Sequence, residues 1–390
     1  MRKRTRIIAL LLAMLTLTGC NAGLSEGGQR VELFAANVGK GDALILRVDD
    51  WVGLIDAGKP CARGKVLSAM ESMGATALDA VFLTHTDSDH AGGMEWLADS
   101  DIPVGAWYAP AYYTGVKAEK HPMVRAAGAR GAEVQWLRRG DVVSLGDTGA
   151  ELRVLAPDRL FEDKDDNNSL VMLLDTAQGR ALLTGDMELP EEAVLLSQGD
   201  DLGCAVLKAP NHGDDDTLSQ AFAQAASAKA AVISTDSTEK PGTPDPGVVA
   251  RLGAAGTAVY VTQEAGLGLS VALNGGAPEV TAVNIDAPRA SDVVIQNVVP
   301  GDDLIALRND GQDCDLTGWY LYSDRGNELY AFPDGCVLGA GQTITVGTRS
   351  SDGGSDLMWD DKKVIHKSKR DNIQLYDCYG RVVDAMSNGY

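Results

Sequence analysis

The sequence predicts an α/β protein of layered sheets covered by helices, followed by an all-β sandwich. Three observations lead there. From about residue 31, short apolar runs bounded by turn residues alternate with helix-length stretches. From Asp292 onward helical periodicity disappears, and short strands alternate with Gly, Asp and Asn turns. The 390 residues suffice for two cores, and 44 glycines suit many turns rather than long helices.

In chain order, 31–36, 43–48 and 52–55 read as strands joined by tight turns, 65–73 as a short helix, and 80–84 as a buried strand ending in a dense run of His and Asp. Further strands are predicted at 151–155, 170–175 and 181–184, the last two as a hairpin across Ala177-Gln178-Gly179. Helices at 191–197 and 218–228 flank a strand at 205–208, and strands at 231–234 and 257–262 close the pattern. In the second unit 304–308, 319–322, 328–332, 343–346 and 372–376 read as strands, a spacing that suits a sandwich of roughly 100 residues. The boundary falls near Pro288, giving units at 31–285 and 289–390.

Residues 1–20 read as targeting rather than fold. Arg2, Lys3, Arg4 and Arg6 precede an apolar stretch, 7–17, too short to span a bilayer. Leu17-Thr18-Gly19-Cys20 then resembles a bacterial lipobox, which implies lipidation at Cys20, a polar tether over 21–30, and a place on the extracytoplasmic face of a membrane. An ordinary cleaved signal peptide is the alternative. Beyond Cys20 stand Cys61, Cys204, Cys314, Cys336 and Cys378, an odd count. In an oxidising compartment the expected disulfide is Cys314 with Cys336, or one of them with Cys378.

The formal net charge of -21 repels nucleic acid at long range and excludes a general DNA-coating protein. It leaves a phosphodiester substrate open, because bound cations can supply the local positive charge that side chains lack.

The segment that carries chemistry is Thr84-His85-Thr86-Asp87-Ser88-Asp89-His90-Ala91-Gly92-Gly93. A buried strand delivers two imidazoles and two carboxylates within six residues, and only five His occur in the chain. These ligand types suit zinc, manganese or iron. A solvated polar loop is the competing reading, and the position directly after an apolar strand disfavours it. Elsewhere the signals are weaker. His121 and His366 read as surface residues, and Ser169 as a strand-start residue without a Ser-His-Asp context. Asp214-Asp215-Asp216 reads as helix-capping charge before 218–228. The aromatic group Trp107-Tyr108 to Tyr112-Tyr113 reads as an insertion after the motif helix, able to stack bases, pack or form a lid.

This motif resembles that of the metallo-β-lactamase superfamily, and its Asp87 is more specifically similar to the hydrolase domain of ComEC-type DNA-uptake proteins. Asn37-Val38-Gly39-Lys40-Gly41-Asp42-Ala43, Leu54-Ile55-Asp56-Ala57-Gly58, Asn168-Ser169-Leu170-Val171, Leu183-Thr184-Gly185-Asp186 and Leu207-Lys208-Ala209-Pro210-Asn211-His212-Gly213 extend the likeness over 31–283. It implies an αββα sandwich. It also implies a metal held by Asp89, His90 and His212, with Asp186 bridging to a second metal on His85 and Asp87. Zinc or manganese, one or two ions, would hold a hydroxide as nucleophile. Asp89 and Asp186 become the catalytic carboxylates, Asp56 and Thr84 the partners that orient imidazoles, Asp42 a turn residue, and Lys208 and Asn211 substrate contacts. Asn211 and Thr243 stand where the family carries His, and no His lies near Asn168, so the His85/Asp87 set is expected to lack a third ligand. In the second unit Asp315-Leu316-Thr317-Gly318-Trp319, Phe332-Pro333-Asp334-Gly335, Leu338-Gly339-Ala340-Gly341 and 375–384 resemble a lamin-tail domain. That likeness implies an immunoglobulin-like β-sandwich with an interaction or tethering role toward a cell-surface or protein partner.

The expected function is an extracytoplasmic, lipid-anchored phosphodiesterase or nuclease acting on nucleic acid or another phosphodiester. Hydrolysis of another ester or amide, and a binding or scaffold lipoprotein with a degenerate site, are the alternatives.

Overall fold

The structure is a computed structural model that describes residues 28–285, 291–351, 354–361 and 363–390. Cys20, the signal segment and the expected boundary at Pro288 lie outside the described residues. The end of the expected tether lies inside them, and it is not free: the Gln29 side-chain amide donates to Thr148 O at 2.7 Å.

Two sheets stack face to face. The first contains Val31–Ala36, Leu44–Val48 and Trp51–Ile55 as an antiparallel meander. Leu78–Phe82, Val104–Pro110 and Val134–Leu137 then add in parallel. Gly268–Leu273 returns to pair with Val31–Ala36 and carries Glu279–Val283 on its far side. The second sheet runs in the order 258–261, 230–233, 206–208, 179–183, 171–176, 151–156 and 142–144. Alternate side chains of both sheets, among them Leu46, Phe82, Leu152, Met172 and Leu174, fill the layer between them. Helices Arg63–Ser72, Met94–Asp99 and Pro122–Ala129 cover the outer face of the first sheet through Val66, Leu97 and Met123. Helices Leu189–Ser197, Gln220–Ala226 and Pro246–Ala254 cover the second through Leu195, Phe222 and Leu252. The result is the expected αββα sandwich.

Four readings change. Trp107 and Tyr108 are not in an insertion; they belong to the interior strand Val104–Pro110, where Trp107 is buried and Phe82 stacks on Tyr108. The helix expected over 218–228 is shorter, because Leu218 takes a positive φ and Ser219 caps the first turn by accepting from Phe222 N. Asp214 and Asp216 face Lys240 and Asn211 instead. His121 is fully buried rather than on the surface, against Tyr113 and Trp136.

The C-terminal unit has two four-stranded sheets, one ordered 293–299, 304–309, 343–348, 357–359 and the other 328–331, 320–323, 372–376, 382–387. They close over Leu307, Trp319, Leu321, Trp359, Ile365 and Leu375 as an immunoglobulin-like sandwich. Among the described residues there is no disulfide: Cys61, Cys204, Cys314, Cys336 and Cys378 are free thiols. The reason is register. Cys314 faces Leu338 across its ladder, and Leu316 bonds to Cys336 O, so the two thiols sit two positions out of step.

The sandwich is docked on the first unit. Tyr320 Oη donates to Cys61 O at 2.7 Å and accepts from Gly64 N at 3.3 Å. Tyr320 and Tyr376 stack beside Cys61. A Cβ at Gly64 would collide with the backbone nitrogen of Gly380. This crossing therefore needs glycine.

Candidate metal centre

Four loop segments converge at one end of the stacked sheets. Strand Trp51–Ile55 ends at Asp56, whose positive φ turns the chain so that its amide donates to Phe82 O. Strand Leu78–Phe82 leads to His85 and Asp87, and the short helix Ser88–Ala91 carries Asp89 and His90. A Cβ at Gly93 would strike Ala57 O, which explains why the motif closes on glycine. On the second sheet, strand Gly179–Leu183 ends in Gly185, with φ +51, directly before Asp186. Asn211 and His212 both take positive φ after strand Val206–Lys208, a turn that aims His212 back at the motif.

Asp89, His90, Asp186 and His212 gather so that one ligand atom from each lies within 4.8 Å of the others, and all four are buried. Asp186 Oδ2 is 3.1 Å from His90 Nε2 and 3.0 Å from His212 Nε2. The far nitrogens are anchored: His90 Nδ1 to Asp56 Oδ2 at 2.8 Å, and His212 Nδ1 to Ser234 O at 2.8 Å. Asp56 is itself held by the amide and hydroxyl of Thr84. These contacts fix each ring's tautomer and leave both Nε2 atoms facing the centre. Ser169 Oγ accepts from Asp186 N and so sets the loop that presents the shared carboxylate.

A second set adjoins the first. His85, Asp87 and Asp166 also place ligand atoms within 4.8 Å of one another. His85 Nε2 is 3.7 Å from Asp166 Oδ1 and 3.9 Å from Asp186 Oδ2. The expectation of an incomplete second set is thus corrected. The third candidate ligand is Asp166, an aspartate two residues before Asn168, where the family likeness pointed only to histidine. The acidic run Asp163, Asp165, Asp166 ahead of that strand was the available signal.

The charges show what the arrangement wants. Burial alone would lower His90, but Asp186 and Asp56 outweigh it and raise its pKa well above the usual value. Burial works the same way on His212, and Asp186 and Asp89 push it up to about 9. Asp186, which burial would raise, is held well below the carboxylate range by His212 and His90. Asp166 moves the other way, up to about 7, through burial and the nearby Asp186 and Asp87. His85 is lowered by burial and by His90. Without a cation, protons on the imidazoles do the neutralising. His85 Nε2 and Asp186 Oδ1 are buried with no hydrogen-bond partner among the described residues. A neutral imidazole and a free carboxylate oxygen in such places fit divalent-cation ligands.

The metallo-beta-lactamase superfamily matches residues 36–237 of the chain. The chain belongs to that superfamily. A lamin tail domain matches residues 286–389. Among curated relatives, ComE operon protein 3 of Bacillus subtilis (strain 168) is 28% identical over 228 residues, 54% of this chain and 28% of that protein. Competence protein ComA of Neisseria gonorrhoeae is 30% identical over 204 residues, 51% of this chain and 26% of that protein. The chain therefore spans about a quarter of the length of these relatives. Solved structures resemble it at low identity: Zn(2+)-bound PqqB from Methylobacterium extorquens (12% identity, TM-score 0.40, 62% of this chain and 99% of that one) and the Rm3 metallo-beta-lactamase (16%, 0.34, 57% and 87%).

Within this metallo-β-lactamase-type unit, His85, Asp87, Asp89, His90, Asp186 and His212 all reach the centre. Lys208 does not serve as a substrate contact: it is buried, and its Nζ pairs with Asp42 Oδ2 at 2.7 Å. Asp42 is accordingly the partner of a buried cation rather than only a turn former. Asn211 turns its side-chain amide to Asp216 Oδ1, and the Thr243 hydroxyl meets that of Thr235. Lys40, not singled out in the sequence, reaches Asp89 Oδ2 at 2.5 Å and stays partly exposed at the edge of the centre.

Proposed function

We propose that this chain is an extracytoplasmic, metal-dependent phosphodiesterase or nuclease, anchored to a membrane through lipidated Cys20. The observation that carries the reading is Asp186 standing between two ligand sets, Asp89/His90/His212 and His85/Asp87/Asp166. Two zinc or manganese ions on these residues would polarise a phosphoryl oxygen and lower the pKa of a bound water. The chain's own residues do the rest. Asp56, Thr84 and Ser234 O hold the imidazoles in one orientation. Asp89 accepts a proton or orients water at the centre, and Lys40 offers a cation to a substrate oxygen beside it. An acidic chain of this kind handles a polyanion through such local positive charge rather than through its surface. Among the described residues no helix is long and apolar enough to cross a membrane; the proposed attachment is the lipid on Cys20, and we propose a cell-surface or protein partner for the C-terminal sandwich.

Bis-p-nitrophenyl phosphate, plasmid and single-stranded DNA, each with zinc, manganese or chelator, test the activity. Metal-dependent turnover of the phosphodiesters is expected. Stoichiometric metal with no phosphodiester turnover would move the assignment to another ester or amide, and absence of metal would favour a binding lipoprotein. Labelling of intact cells with an alkyne fatty acid, lost in Cys20→Ser, tests the anchor.

A further inference from the structure

A cleft of about 610 Å³ opens beside the motif, and both units build it. Thr86 and Ser88 come from the motif loop, Met94, Ala98 and Ala129 from the two helices that follow, and Asn327 from a hairpin tip of the C-terminal sandwich. Thr86 and Ser88 flank Asp87 of the second ligand set in the motif loop, which sets the cleft beside that set.

Its lining says what it accepts. The floor is small and apolar at Met94, Ala98 and Ala129. The charged groups at its rim are one guanidinium, Arg125, and two carboxylates, Glu95 and Asp99, and Arg125 already faces Glu95 at 3.7 Å. A run of phosphates would meet net negative charge here. A neutral ring system with donors and acceptors on its edge would not, and the volume falls within the range of sites for small organic groups. The far wall is firmly placed. Asn327 Oδ1 accepts from Tyr322 Oη at 2.5 Å, which ties the hairpin tip to the strand behind it. The strand behind it, Tyr320–Ser323, is the one whose Tyr320 bonds the Cys61 and Gly64 backbone.

From this we infer that the cleft binds the nucleoside next to the scissile phosphodiester, and that the C-terminal sandwich supplies one wall of the substrate site rather than serving only as a tether. The inference rests on the phosphodiesterase reading for its substrate class. It is tested with the full mature chain and two probes, the dinucleotide thymidylyl-thymidine and methyl p-nitrophenyl phosphate, which has no nucleoside. Ala129→Trp fills the floor from an exposed helix position. It is expected to raise KM for the dinucleotide about tenfold or more while leaving the methyl ester within about twofold. Asn327→Gly, which keeps the positive φ of that turn, should act in the same direction more weakly. Calorimetry of thymidine with metal-free protein, where no turnover occurs, should show binding that Ala129→Trp abolishes. Equal effects on both substrates, no effect on either, or no thymidine binding would overturn the inference. If the wild type cleaves neither phosphodiester, the catalytic reading fails, and the calorimetry still decides the cleft.

Discussion

At the scale of single residues, the centre is governed by groups that never touch a substrate. Asp56 fixes His90 through one 2.8 Å contact. Asp56→Asn should weaken metal binding roughly 10- to 100-fold, read by chelator competition, with the fold intact by circular dichroism. His90→Ala removes a proposed metal ligand and should abolish turnover without unfolding the protein. Lys208 separates two roles clearly. If it contacted substrate, Lys208→Ala would change KM. Since it is buried against Asp42, the same substitution leaves a carboxylate unpaired and should cost about 3–5 kcal/mol of stability, measured by urea denaturation. His121 gives a pH signature. Burial pushes its pKa down to about 4, with Asp165 opposing only weakly. A lowered imidazole means that the fold prefers it neutral, so its contribution is intact above about 6.5 and is lost as pH falls through 4. His121→Phe should therefore flatten the fall in melting temperature between those pH values.

At the scale of elements, the ligands sit where strands end, and that is why much of the centre could be read in advance. An apolar strand followed by His, Asp, Asp, His within six residues is a local pattern, and the Gly185-Asp186 and Asn211-His212 turns are nearly as local. What escaped was set by distance in the chain. Asp166 is an ordinary acidic residue until the turn Asp166–Asn168 brings it beside His85. His121 has polar neighbours in sequence and aromatic ones in space. The interior strand Val104–Pro110 carries an exposed Gly105 and a half-buried Tyr108 beside the buried Trp107, Ala109 and Pro110, so it lacks the clean apolar run that marks a strand in sequence. Asp166→Ala tests the missed candidate ligand: under the proposed two-ion reading, metal content by mass spectrometry should fall from two ions to one per chain, with Asp89, His90, Asp186 and His212 retaining theirs.

At the scale of the whole molecule, composition and the loss of helical periodicity separated the two units, but nothing local announced that they would be locked together. The lock is a tyrosine hydroxyl on a backbone carbonyl and two glycines crossing. Gly64→Ala introduces a Cβ into that crossing. It should split a single thermal transition into two, each near the stability of its own unit, and scanning calorimetry would show it. The same variant should raise KM for the dinucleotide through the lost wall while leaving metal content unchanged.

The centre also takes its ligands from both stacked sheets: His85 to His90 follow the first, Asp186 and His212 the second. An ion seated there is a rivet through the two halves as much as a reagent, and the protein's resistance to heat becomes a gauge of the free cation around it. At a hundredfold excess over the dissociation constant the gain is about 2.7 kcal/mol, so the melting point should climb with buffered zinc and drop back when the ion is stripped.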